Sequence, residues 1–167
     1  MKKLLTIIGF ISAASVYAQG GTIIINNYTS YDFHTRVTAA NLSTPGCYFY
    51  VALDNPELVI SGVSSVNYNS FNIPGTYWKV ATSPSPATLR PGTSPSLMLG
   101  GVISNNTKWV ISQFQFYQSG TLLSTGAVGD ASYTCDPVSS VINTPQAMVE
   151  WFTITSGGTT STYLQIY

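Results

Sequence analysis

Apolar residues recur at every second position repeatedly along this chain, and no stretch sustains the 3.6-residue period of a long helix. Alternation puts successive side chains on opposite faces of an extended strand, so the pattern commits the chain to sheets. Tyr31 to Ala39 shows it well: Tyr31, Phe33, Val37 and Ala39 fall on one face, Asp32, His34, Arg36 and Thr38 on the other. Thr22 to Ile25 is a β-branched run closed by Asn26 and Asn27. Cys47 to Leu53 is apolar on both faces, as a sheet-centre strand is. Val63–Tyr68, Thr76–Thr82, Leu97–Ser104 and Trp109–Tyr117 are further predicted strands, with Phe114 and Phe116 sharing a face. Met148–Thr155 and Thr160–Ile166 flank Gly157-Gly158, the signature of a hairpin with a primed turn.

Punctuation separates these runs. Asn72, Pro74 and Gly75 mark a turn, and residues 126–146 are turn-rich. Residues 83–96 carry Pro84, Pro86, Pro91 and Pro95; missing backbone donors make this stretch a loop or an edge crossing. The expectation is all-β: a single-domain antiparallel β-sandwich of Greek-key or jelly-roll type, with about 8–9 short strands. Trp78, Trp109 and Trp151 lie inside predicted strands and read as core.

The N-terminus reads as an export signal. Lys2 and Lys3 form a positive start, Leu4 to Ala14 a short apolar run, and Val16 and Ala18 the small residues before a cut after Ala18. The expected division is residues 1–18 as signal peptide and 19–167 as a secreted sandwich domain. The apolar run is shorter than the ~20 residues a membrane-spanning helix needs, so no transmembrane segment is expected in the mature chain. Losing Lys2 and Lys3 leaves Arg36, Lys79, Arg90 and Lys108 as the only cations. They cannot build a phosphate-neutralising stripe, so a nucleic-acid partner is disfavoured. Only 7% of residues are charged, so Ser, Thr, Asn, Gln and Tyr must keep the surface wet.

Export also decides the cysteines. Cys47 and Cys135 are an even pair bound for an oxidising space, which predicts one disulfide stapling the first third of the domain to the last.

Catalytic signatures are absent: there is no Gly-x-Ser-x-Gly, His-Glu-x-x-His, phosphate-binding glycine loop or Cys-x-x-Cys. His34 is the sole imidazole, hence the only ordinary base for a hydroxyl nucleophile. It stands between Asp32 and Arg36 on one strand face, a candidate polar binding cluster or simply the solvent face of an amphipathic strand. Asp54, Glu57, Asp130 and Asp136 look like turn residues, whereas Glu150 alternates with Met148 and Phe152 on a strand and must be paired, protonated or functional. No metal-ligand spacing is recognisable and no cofactor is implied.

Rings are the abundant resource, with 11 Tyr, 7 Phe and 3 Trp. They fill sandwich cores, anchor protein interfaces and stack on sugar C–H faces. Tyr48, Tyr50 and Tyr77 would form a binding patch if exposed together. Thr22–Ile25 and the C-terminal strand, both uncharged, would invite pairing with other subunits if they lay at sheet edges. These features favour a non-enzymatic secreted protein acting by binding at the cell surface or outside the cell, structural or adhesive and capable of self-assembly. The partners expected are other protein subunits or surface glycans. A glycan-binding module is the alternative, and a small hydrolase using Glu150 the second.

Overall fold

The computed structural model describes residues 21–156 and 159–167, and twelve strands occur among them. One sheet has five, in the order β10 (Val141–Asn143), β11 (Met148–Ser156), β12 (Thr159–Ile166), β1 (Thr22–Asn27) and β5 (Ser64–Tyr68). The other has seven. It runs β7 (Thr88–Pro91), β6 (Tyr77–Ala81), β3 (Tyr50–Asn55), β2 (Asp32–Ala40), β8 (Lys108–Gln118) and β9 (Thr121–Gly129), with β4 (Leu58–Ile60) also paired to β2. Each pairing is antiparallel except that of β1 with β12. The chain is therefore an antiparallel-rich β-sandwich.

Alternation explains why the two sheets face each other. Ile23 and Ile25 of β1, Val149 and Trp151 of β11, and Leu164 and Ile166 of β12 point inward from the smaller sheet. Phe33 and Val37 of β2, Val51 and Leu53 of β3, Trp78 and Val80 of β6, and Phe114 and Phe116 of β8 meet them. Phe71 packs at 5.0 Å against Trp78 and 4.9 Å against Trp109, in tilted and edge-on geometries suited to aromatic quadrupoles. The three tryptophans are buried, as the strand pattern predicts.

A smaller cluster of Ala40, Cys47, Val110, Ile111 and Tyr133 surrounds the disulfide. Cys47 is joined to Cys135, with Cα atoms 6.3 Å apart, across a separation of 88 residues. Closing so long a loop removes about 4–5 kcal/mol of unfolded-state entropy on a chain-statistics estimate.

The strand count exceeds the expected eight or nine. Strands β4, β7 and β10 have three or four residues each, too short for a period to register. Strand β7 is the edge crossing expected of the proline-rich stretch. Strand β9 begins after Ser119 and Gly120, both at positive φ, a tight hairpin turn marked in sequence only by Ser-Gly. In contrast, Leu97–Ser104 forms no strand. Its amides bond locally, Leu97 and Met98 to the Ser94 carbonyl and Gly101 to that of Met98, while Leu97 and Ile103 plug the core. Gly101 packs so close that a Cβ would sit 2.4 Å from the Pro95 oxygen.

Strands β1 and β12 are both internal to the smaller sheet, so neither offers the free edge that pairing with another subunit would need. The register Ser156↔Thr159 shows the last hairpin, although Gly157-Gly158 and the expected signal peptide, residues 1–18, lie outside the described residues.

Candidate functional site

The outer face of the seven-stranded sheet carries a hollow of about 440 Å³, lined by His34, Arg36, Glu57, Gln113, Phe114, Gln115, Thr125, Gly126 and Ala127. Strand alternation builds it. Because Phe33 and Val37 point into the core, His34 and Arg36 of β2 project outward; because Phe114 and Phe116 point inward, Gln113 and Gln115 of β8 do too. The register sets His34 opposite Gln115, itself opposite Thr125, and Arg36 opposite Gln113, itself opposite Ala127. Two cross-strand rows of polar side chains result. The ladders shift register at Thr38/Ala39 and at Phe116/Tyr117, beyond either end of these rows, and such irregularities increase local twist and curl a sheet into a concave face.

Glu57 closes one wall. It directly precedes β4, whose Leu58 pairs with Thr35, and its Oε1 lies 2.8 Å from Nδ1 of His34. A carboxylate only accepts, so Nδ1 carries the proton and donates it. Both side chains are about a quarter exposed, 21% for His34 and 31% for Glu57. Tyr117 packs against the imidazole at 4.4 Å, and its hydroxyl donates to Oε1 of Gln115 at 3.1 Å. One phenol thereby steadies two side chains. Gly126 sits where a Cβ would come within 2.6 Å of the Phe114 ring, so a glycine allows this ring to fill its place.

Arg36 is exposed and lines the hollow. Among the described residues the ion pairs are His34–Glu57, Lys79–Asp54 and Lys108–Asp130. Arg36 belongs to none of them.

The expected cluster is thus rearranged. Asp32, His34 and Arg36 do share an outward face of β2, yet the carboxylate that meets the imidazole is Glu57 and not Asp32. Glu57 reads as a turn residue because its partner lies 23 positions away. Gln113, Gln115 and Tyr117 could have been found, since they alternate with the inward-facing Phe114 and Phe116. The tyrosine patch is not assembled. Tyr50 pairs with Ala81 and Tyr77 with Asn55, at opposite ends of the β3–β6 ladder, about 13 Å apart at strand rise. Tyr48 lies before β3 and is half-buried.

Glu150 lies on the other sheet, paired across to Val141 and Gln165, and the strands of that sheet bring no second carboxylate. Asp54 is paired with Lys79. Among the described residues no three His, Cys, Asp or Glu side chains gather as a metal site, and no helix is long and apolar enough to cross a membrane.

No family model, curated protein or solved structure matches the chain.

Proposed function

We propose that this is a non-enzymatic binding protein that works outside the cell or at its envelope and engages a glycan through the hollow on the seven-stranded sheet. One observation carries the reading: His34, Arg36, Gln113, Gln115 and Thr125 converge on a single concavity of about 440 Å³, within the range of small-ligand sites. Amides, a hydroxyl, an imidazole and a guanidinium on rigid strands match the dense hydroxyl pattern of a sugar. The hydrophobic core behind β2 and β8 holds their geometry. The Cys47–Cys135 bond is compatible with an oxidising compartment.

The hollow is poorly set for nucleophilic chemistry. Thr125, its hydroxyl, stands across β8 from His34, about 10 Å away at two strand spacings, and an imidazole must come within hydrogen-bond reach to take a proton. The test is a titration of isotope-labelled protein with a panel of oligosaccharides, read by amide shifts. Saturable shifts at His34, Gln113, Gln115 and Thr125 support the proposal. A panel that moves no residue of the hollow sinks it.

A second reading, self-association, draws on β9. This edge strand carries no charged residue, and Leu122 and Leu123 on it are exposed. Bare uncharged edges template pairing with another chain. Sedimentation across a hundredfold concentration range separates the two: a constant monomer removes self-association.

A further inference from the structure

We infer that the hollow selects a sugar bearing a carboxylate, a uronic-acid residue, over its neutral counterpart; this rests on the glycan reading above. Two of its acceptors already serve neighbours: Oε1 of Glu57 receives the His34 Nδ1 proton at 2.8 Å, and Oε1 of Gln115 receives the Tyr117 hydroxyl at 3.1 Å. The forked guanidinium of Arg36 lines the same hollow and takes part in none of the ion pairs among the described residues, with the neutral amides of Gln113 and Gln115 beside it. The ligand group that answers a free guanidinium is an anionic acceptor.

Arg36 decides the charge. Glu57 is the acid that lines the hollow, and its pairing with His34 leaves the guanidinium with no carboxylate partner among the described residues. Asp32 lies on the same face but beyond His34, opposite Tyr117 and away from Arg36. Guanidinium and carboxylate match as planar forks with two parallel hydrogen bonds, a recognition that a hydroxyl or ester cannot reproduce. The half-open setting adds some discrimination, because a charge pair against a protein wall is screened less than one in bulk water.

The experiment compares trigalacturonate with its fully methyl-esterified form, the same rings with and without charge, by calorimetric titration of the wild-type chain and of Arg36→Gln. Expected for the wild type is about tenfold tighter binding of the acid, weakening as salt is raised. Expected for Arg36→Gln is a ratio near one, the acid losing its advantage over the ester, with an unchanged far-ultraviolet spectrum. Equal wild-type binding of acid and ester overturns the inference and leaves the glycan reading standing. A preference that survives Arg36→Gln overturns the role of Arg36. If neither trisaccharide binds, this inference fails. The oligosaccharide panel above then decides separately whether the hollow binds glycans at all.

Discussion

Glu57 reaches across from the start of one strand to hold the His34 imidazole at 2.8 Å, although Asp32 stands on the same strand face two residues away. Neighbours at i and i+2 on a strand are ~7 Å apart and their side chains rise side by side, so Asp32 does not meet the ring edge-on. Glu57 stands just before β4, two residues from Val59, the cross-strand partner of His34, and its longer side chain comes in diagonally from the adjacent strand.

Removing that partner should loosen the hollow more than the fold. Glu57→Ala is expected to weaken ligand binding several-fold, because His34 loses the group that fixes its ring. Stability should fall by less than about 1 kcal/mol, the usual scale for a part-exposed pair. Titration and urea unfolding of the same variant check both halves; a large stability loss with intact binding would contradict the assignment.

Two glycines of β9 should differ in a defined order. At Gly126 a methyl group meets the buried Phe114 ring at 2.6 Å, whereas at Gly129 it meets the backbone oxygen of Val110 at 2.2 Å. A ring has some rotational give and a sheet backbone has little. Gly126→Ala is expected to cost about 1–3 kcal/mol, as overpacking does, and Gly129→Ala more. Denaturant midpoints with unchanged slopes would measure the ranking.

The disulfide is expected to be the largest single staple. Cys47→Ser together with Cys135→Ser should lower unfolding free energy by about 4–5 kcal/mol, reflecting an 88-residue closure. Reductant should destabilise the wild type and leave the double variant unmoved. A loss under about 1 kcal/mol would mean that the unfolded chain is already constrained.

Stability should fall at both ends of the pH scale, through different groups near the staple. Burial alone would raise the Asp130 carboxyl, but hydrogen bonds from Ser132 and Lys108 outweigh it and hold it below its ordinary 3.8. Near that pH the unfolded chain binds more protons, so this contribution is present above about pH 4 and is lost as pH falls through the lower folded value. For Tyr133, burial first, then the Tyr50 and Asp136 charges, pushes the phenol up to about 12. The unfolded phenol ionises at 10.0, so stability is complete below that and declines as pH climbs toward 12. Asp130→Asn should flatten the acid limb and Tyr133→Phe the alkaline one, each read from unfolding midpoints against pH.

Much of the fold is legible in the residues because burial on one face of a strand writes itself as a period of two. Phe33 and Val37 announce β2, and Phe114 and Phe116 announce β8, with every one of them buried. Legibility fails where that signal is short or imitated. Leu58–Ile60 offers only three residues, and Leu97–Ser104 is apolar for a different reason, since two of its side chains are plugs in a turn-bonded loop. The candidate site is half legible. His34 and Arg36 can be placed on one outward face from alternation alone, and Gln113 and Gln115 from the inward-facing Phe114 that stands between them.

Taken by itself, the order of residues determined that this chain forms strands, which side of each is wet, and which cysteines can pair. Those properties depend on near neighbours and on composition. The tertiary structure alone decided that β2 lies between β4 and β8, and with it that Glu57 and not Asp32 serves His34, that Arg36 is left over, and that three tyrosines expected together stand apart. Strand order and register are long-range choices. They are made by how two faces pack against a shared core, and no local pattern records them.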